Sequence, residues 1–189
     1  VRIVGGEFRG RALNGPKSNA IRPTTDRTRE SLFNIISHTY PEALVGKRVI
    51  DCFAGTGAIG LEAISRGATH ALFIENSVEG RALLHANIET LGLQGKTRIF
   101  RRDATDLGPA GNMPPFDLLF ADPPYGKGLG EKALAAADAG GWLKEGALVV
   151  LEEEGSVDPI VGTNFKRLDE RSFGDTRMHF YSYQPGQKR

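Results

Sequence analysis

The chain has 189 residues, 40% of them apolar and 25% charged, the balance of an ordinary globular domain able to bury a sizeable core. Its net charge of +1 hides an asymmetry: within residues 1–30 seven basic side chains face three acidic ones, giving +4 and leaving −3 for the rest. A lone cysteine, Cys52, rules out an internal disulfide framework, and with no signal peptide or bilayer-length apolar run the chain reads as cytosolic.

The opening "RIVGGEFRGRAL" alternates around Gly5–Gly6 and predicts a β-hairpin or twisted ribbon. The turn-rich "NGPKSNAIRP" follows, and then a helix from about Thr25 that places Leu32, Ile35 and Ile36 on one face and ends before Pro41. We read residues 1–40 as an N-terminal extension and 41–189 as the main domain. From Lys47 onward strands and helices alternate. "RVIDCFA" is a buried strand, "GTGAIGLEAISRG" a glycine loop opening a helix, "HALFIE" a second strand, and "SVEGRALLHANIETLG" a helix bounded by Ser77 and Gly92. "TRIFRRD" and "FDLLFAD" are the third and fourth strands, "GLGEKALAAADAG" a helix, "GALVVLEEE" a fifth strand, and "FKRLDERSF" with "MHFYSYQ" a final hairpin. This order predicts an α/β fold of Rossmann type, a seven-stranded mostly parallel sheet with a terminal antiparallel pair.

"GTGAIG", Gly55 to Gly60, matches G-x-G-x-x-G between a strand and a helix, and Glu75 ends the next strand. That is the dinucleotide fingerprint with its ribose-binding acid. Asp51, just ahead of the loop, changes the reading. A carboxylate there repels a pyrophosphate and suits a cationic head such as the α-ammonium of a methionine moiety, while the helix N-terminus favours that moiety's carboxylate. S-adenosylmethionine has this zwitterionic end, a ribose for Glu75, and an adenine whose amino group can donate to Asp103 at the end of the third strand. The plainer alternative makes Asp51 and Asp103 strand-end caps.

"DPPY", Asp122 to Tyr125, ends the fourth strand, and open α/β sheets bind ligands beyond the carboxyl ends of their strands. Two prolines stop a strand abruptly and stiffen the backbone. An exocyclic amine of a nucleobase is a poor nucleophile, its lone pair being delocalised into the ring. Two acceptors gripping its N–H bonds, the Asp122 carboxylate and the Pro123 carbonyl held by Pro124, favour a pyramidal nitrogen aimed at a methyl donor. Tyr125 is placed to stack on an extruded base. A strand-ending turn with an incidental aromatic is the competing reading.

"DCFAGTGAIG", Glu75, Asp103 and "DPPY", in this order, resemble a class I adenosylmethionine-dependent amino-methyltransferase. With "RPTTDRTRESLFNI" (residues 22–35), "SRGA" and the late "FGDT", the chain resembles, over essentially its whole length, the RsmD family. The resemblance implies methyl transfer to N2 of the guanine at position 966 of bacterial 16S rRNA, within the small ribosomal subunit or a late assembly particle, by a monomer. It implies donor contacts at Asp51, Phe53, Gly55, Thr56, Gly57, Glu75, Asn76, Asp103, Ala104 and Asp122. The catalytic set is Asp122, Pro123, Pro124 and Tyr125, with no metal. "YGKGLG" after the prolines departs from the family and bears on base stacking.

Arg9, Arg11 and Lys17 on the ribbon, with Arg22, Arg27 and Arg29 by the first helix, are candidates to track RNA phosphates; a solvated basic arm is the bland alternative. Arg22, Thr24 and Arg27 lie in the family-like segment and can instead close over the donor. Competing functions are an adenine-N6 DNA or glutamine-amide methyltransferase and, from another class, a nicotinamide oxidoreductase. The last fits the glycines but leaves "DPPY" unexplained.

Overall fold

The computed structural model describes residues 1–17 and 24–186; Arg22 lies outside them. Seven strands form one sheet: β1 (Arg48–Cys52), β2 (His70–Ile74), β3 (Thr97–Phe100), β4 (Phe116–Ala121), β5 (Leu143–Glu154), β6 (Phe165–Phe173) and β7 (Thr176–Tyr183). Their order is β3-β2-β1-β4-β5-β7-β6, with β1 to β5 parallel and β7 antiparallel to both neighbours. Among the described residues four α-helices accompany them: α1 (Asp26–Thr39), α2 (Ala58–Ser65), α3 (Val78–Leu91) and α4 (Leu129–Gly140). The expected architecture is the one observed.

Alternating side chains divide the core into two. Val49, Ala71, Phe73, Leu118 and Phe120 join the cluster under α1, α2 and α3. Ile50, Leu72, Ile74, Leu119 and Ala121 face Leu134, Ala137 and Trp142 on the other side. Strands apolar on both faces are what a parallel sheet covered on both sides requires. Helix ends follow the sequence signals: the Ser77 hydroxyl accepts the Gly80 N–H, and Gly92 takes the left-handed conformation after α3. The β6–β7 hairpin closes through Gly174–Asp175, with Gly174 at φ 59°, as a two-residue turn with glycine first requires.

The N-terminal ribbon is sparer than expected. Its ladder is one antiparallel bridge, Arg2 with Ala12, supported by main-chain bonds among Val1, Ile3, Arg11 and Leu13. It is anchored from outside. Ile3, Leu13, Leu32, Phe33 and Ile36 enter the same apolar cluster as the sheet, so the described part of the N-terminal segment shares the core of the main domain. No helix of the described residues is long and apolar enough to cross a membrane.

Candidate functional site

Strand register assembles the site. Cys52 pairs with Ile74 and with Ala121, and Ala121 pairs with Leu151. The next residue of each strand therefore stands at one level: Phe53, Glu75, Asp122 and Glu152. Beyond these ends opens a cavity of about 820 Å³. Of the ten residues expected to contact a donor, nine line it: Asp51, Phe53, Gly55, Thr56, Glu75, Asn76, Asp103, Ala104 and Asp122. Pro123, Pro124 and Tyr125 line it as well. Gly57 does not. It turns the loop at φ 80° beneath the cavity, where a Cβ would lie 2.4 Å from Leu84 Cδ2, so close packing of the loop on α3 accounts for this glycine.

The glycine loop is tied down by acids. Glu75 accepts the Gly55 N–H at 2.7 Å through Oε1, and the Ser77 N–H and hydroxyl at 3.0 and 2.8 Å through Oε2. Asp51, 2% exposed, accepts the Gly60 N–H at 3.1 Å. Gly57, the residue capping α2, has no side chain, so an acid from β1 performs the capping. Burial pushes the Asp51 carboxyl well above the usual carboxylate range, and the Glu75 charge adds to this against the Gly60 N–H. The cap reading of Asp51 and its place in the cavity wall thus hold together. Asp103 is exposed and binds the Thr105 N–H and hydroxyl through Oδ1 at 2.9 and 2.7 Å, a local turn at the cavity rim. Phe53, at φ 58°, is the one non-glycine residue with positive φ among those described. Such strain marks functional bends, and this one turns the chain from β1 into the loop.

At the other end of the cavity Asp122 follows β4. The Thr24 hydroxyl lies 3.3 Å from Asp122 Oδ2 and 3.4 Å from Glu152 Oε2, and the pairing of Ala121 with Leu151 sets the two carboxyls side by side. Loss of solvent around Asp122, then the charge and hydrogen bond of Glu152, raise its carboxyl well above the usual range. Glu152 was not expected here. Its signal was a buried strand closing on three acids, "EEE", whose first two are 5% and 3% exposed. Thr25, Thr28, Phe173 and Thr176 also line this end, so the "FGDT" hairpin tip and the start of α1 both reach the cavity.

The basic residues divide. Arg9, Arg11, Lys17 and Arg27 are exposed and outside the cavity wall; Arg11 donates to the Thr90 carbonyl at 2.8 Å. Arg29 is a correction. Expected to face RNA, its side chain is fully buried, paired with Glu62 at 3.2 Å and with Asp26 at 2.8 Å. It also donates to the carbonyls of Thr24 and Arg2. All of its nitrogens are engaged inside the protein, and it presents none to a phosphate.

A smaller cleft of about 450 Å³ lies beside Phe100 and Trp142, near the start of β1 and β2, and holds none of the expected residues. Its arginines stack on rings, Arg48 over Phe116 at 4.7 Å and Arg102 over Phe100 at 4.8 Å, which accounts for their placement.

The family described as Conserved hypothetical protein 95 matches residues 1–182. Ribosomal RNA small subunit methyltransferase D of Escherichia coli K12 is 38% identical over 183 residues, covering 96% of this chain and 89% of the relative. The protein of the same name from Haemophilus influenzae is 33% identical, covering 96% and 93%. Among solved structures, Escherichia coli yhhF superposes with TM-score 0.82 at 36% identity, covering 97% of this chain and 98% of that one. An RNA methyltransferase from Salinibacter ruber, solved with S-adenosyl-L-homocysteine, shares the fold at TM-score 0.64 and 12% identity, covering 88% and 97%. The chain belongs to the Conserved hypothetical protein 95 family, the RsmD family.

Proposed function

We propose that this chain transfers a methyl group from S-adenosylmethionine to the exocyclic N2 of a guanine, position 966, in 16S rRNA of the small ribosomal subunit. The observation that carries the reading is that "DPPY" and the glycine loop, at the ends of the adjacent strands β4 and β1, line one cavity. The names of the Escherichia coli and Haemophilus influenzae relatives support rRNA as the substrate class.

The wall fits the donor. Glu75 stands where a ribose hydroxyl can donate to it, Asn76, Asp103 and Ala104 border the place for an adenine, and Phe53, Gly55 and Thr56 flank the methionine end. Asp51 disfavours a pyrophosphate at the start of α2, because its carboxylate already takes the Gly60 N–H. That weighs against a nicotinamide cofactor. Bound S-adenosylmethionine supplies an electrophilic methyl; the protein supplies position. Asp122 and the Pro123 carbonyl accept the two N2–H bonds and leave the nitrogen lone pair free, while Tyr125 holds the base by stacking. The proton that N2 sheds on methylation goes to the Asp122 carboxylate, its nearest base. Orientation of this kind is worth up to ~7–11 kcal/mol in favourable systems.

The test uses methyl-labelled S-adenosylmethionine with unmodified small subunits, naked 16S rRNA and duplex DNA in parallel, followed by nucleoside identification by mass. Label in N2-methylguanosine from the subunit sample is the expected outcome. Label in N6-methyladenine, or none in nucleic acid, overturns the substrate.

A further inference from the structure

Basic charge outside the donor cavity gathers along the edge strand β3. Arg98 and Phe100 share one face of it, and with Arg48 and His70, from the starts of β1 and β2, they line the cleft of about 450 Å³ beside Trp142. Arg102, just past β3, lines this cleft and the donor cavity alike. No acidic side chain lines the cleft. Asp117 is the acid whose charge reaches Arg48, but its oxygens are taken by the Arg48 main-chain N–H at 3.0 Å and by Lys144 at 3.9 Å. Three arginines thus gather in a part of the chain, residues 31–189, whose net charge is −3.

Ring contacts place these guanidinium groups without using up their donors. Arg98 and Arg102 lie 4.9 and 4.8 Å from the centroid of the Phe100 ring, and Arg48 lies 4.7 Å from that of Phe116. A guanidinium carries five N–H donors. Arg48 gives one to the Pro114 carbonyl at 3.3 Å, and its Nε is buried without a hydrogen-bond partner. Arg102 gives one to the Leu107 carbonyl at 3.0 Å, and Arg98 gives none among the described residues. His70 shows how closely the charges converge: burial first, then Arg48 and Arg98 together, push its imidazole below the ordinary range. Planar, unneutralised donors in a fixed place match the oxygens of a phosphate.

We propose that this cleft is a second RNA site, in which Arg48, Arg98 and Arg102 bind backbone phosphates of the strand that carries the target base. The inference rests on the rRNA reading above and adds a contact beyond the donor cavity. Arg102 joins the two places, so a strand leaving the cavity over the end of β3 meets Arg102 first and then the cleft. Contacts of this kind fix the register of the strand and read no sequence.

Arg98→Gln is the test, because Arg98 is exposed and its loss breaks no hydrogen bond among the described residues. Equilibrium binding to unmodified small subunits and to naked 16S rRNA is measured over a series of salt concentrations. Wild type, Arg98→Lys and Lys166→Gln are run beside it, Lys166 being exposed on β6 at the opposite edge of the sheet. In Arg98→Gln, Kd for both RNAs is expected to rise about 10-fold, the low end for hydrogen bonds to a charged group. The slope of log Kd against log salt should flatten by about 0.7, the share of one phosphate on a single strand. Arg98→Lys should keep the slope, since the charge remains, and Lys166→Gln should follow wild type. Wild-type affinity and slope in an Arg98→Gln protein that melts cooperatively overturns the site. Equal losses in Arg98→Gln and Lys166→Gln overturn it as well, because net charge alone would then be acting. A loss on small subunits with none on naked 16S rRNA puts a ribosomal protein in the cleft and overturns the phosphate assignment. Failure of wild type to bind either RNA instead removes the rRNA reading itself, and this inference with it.

Discussion

Arg29 and Glu62 form an ion pair at 3.2 Å in which both side chains are fully buried. Glu62, from the middle of α2, also accepts the N–H groups of Val4 and Gly5 at 3.0 and 2.9 Å and pairs with Arg66 at 2.8 Å. One carboxylate therefore fastens the N-terminal ribbon and α1 to the helix that follows the glycine loop. Through the Thr24 carbonyl the same arginine fixes the residue whose hydroxyl reaches Asp122. Arg29 is a positioning residue for the catalytic end of the cavity, joined to it through the interior.

Replacing Arg29 by Ala leaves Glu62 buried with part of its charge uncompensated, and removing one partner of a buried pair costs about 3–5 kcal/mol. Denaturant unfolding of Arg29→Ala should show a loss of that size, while Arg27→Ala, at an exposed position of the same helix, should unfold like wild type. Arg29→Lys should recover only part, since one ammonium cannot reproduce bonds that diverge from three guanidinium nitrogens. Wild-type stability in Arg29→Ala would show that Arg66 and the Val4 and Gly5 amides suffice for Glu62.

Glu75 both holds the glycine loop and faces the proposed ribose position. Glu75→Ala should weaken S-adenosylhomocysteine binding by about 10-fold to 100-fold in a calorimetric titration, the range for hydrogen bonds to a charged group. Ser77→Ala is the control: it removes one donor to Glu75 Oε2 but leaves the acceptor in place, and affinity should stay within a few-fold. Unchanged affinity in Glu75→Ala would place the ribose elsewhere.

Gly60 sets two effects against each other. Alanine in a helix is favoured over glycine by about 1 kcal/mol, so propensity alone makes Gly60→Ala stabilising. A Cβ there lies 2.4 Å from Cε1 of Phe73, and Phe73 is fully buried between α2 and β2. Overpacking of this kind costs about 1–3 kcal/mol and should win, lowering the melting temperature of Gly60→Ala. The double variant Gly60→Ala/Phe73→Leu should be more stable than the sum of the single changes. Strict additivity would mean that the ring moves aside freely.

The sequence made the frame and half of the site legible, for a physical reason. Strand and helix periodicities, Ser77, Gly92 and the proline step are local signals, and parallel strands of similar length bring their ends to one level. Acids at strand ends were therefore readable as cavity residues before any contact was known. Arg29 was misread because its partner Glu62 lies 33 positions away; only the nearby Asp26 is visible locally, and an arginine among charged neighbours looks solvated. Glu152 was missed because its meaning depends on the pairing of β5 with β4. Within its own strand it is one of three acids after an apolar run. The ribbon showed its alternation, but its hold on Glu62 and Ser65 is carried by main-chain amides, which leave no trace in residue type.

The proton on the Asp122–Glu152 pair should move stability and rate in opposite directions. Burial and the neighbouring Glu152 and Asp51 charges raise the Asp122 carboxyl well above its ordinary 3.8. The folded state therefore keeps this proton where the unfolded chain has lost it, and stability contributed by the neutral form drains away as pH rises from about 4 through the raised value. Other groups titrate in the same range: Asp51 slopes the same way, and His70 and His179, both lowered by burial, slope the opposite way near 6.5. The difference between wild type and Asp122→Asn isolates the pair. Wild type should lose melting temperature relative to Asp122→Asn as pH is raised, because the variant has no charge to bury beside Glu152. Over the same interval wild-type kcat/KM should climb, since the ionised form accepts the N–H bonds of the target amine, while Asp122→Asn stays near background throughout. A difference in melting temperature that is flat with pH would mean that Asp122 is already ionised in the free protein, held so by the Thr24 hydroxyl.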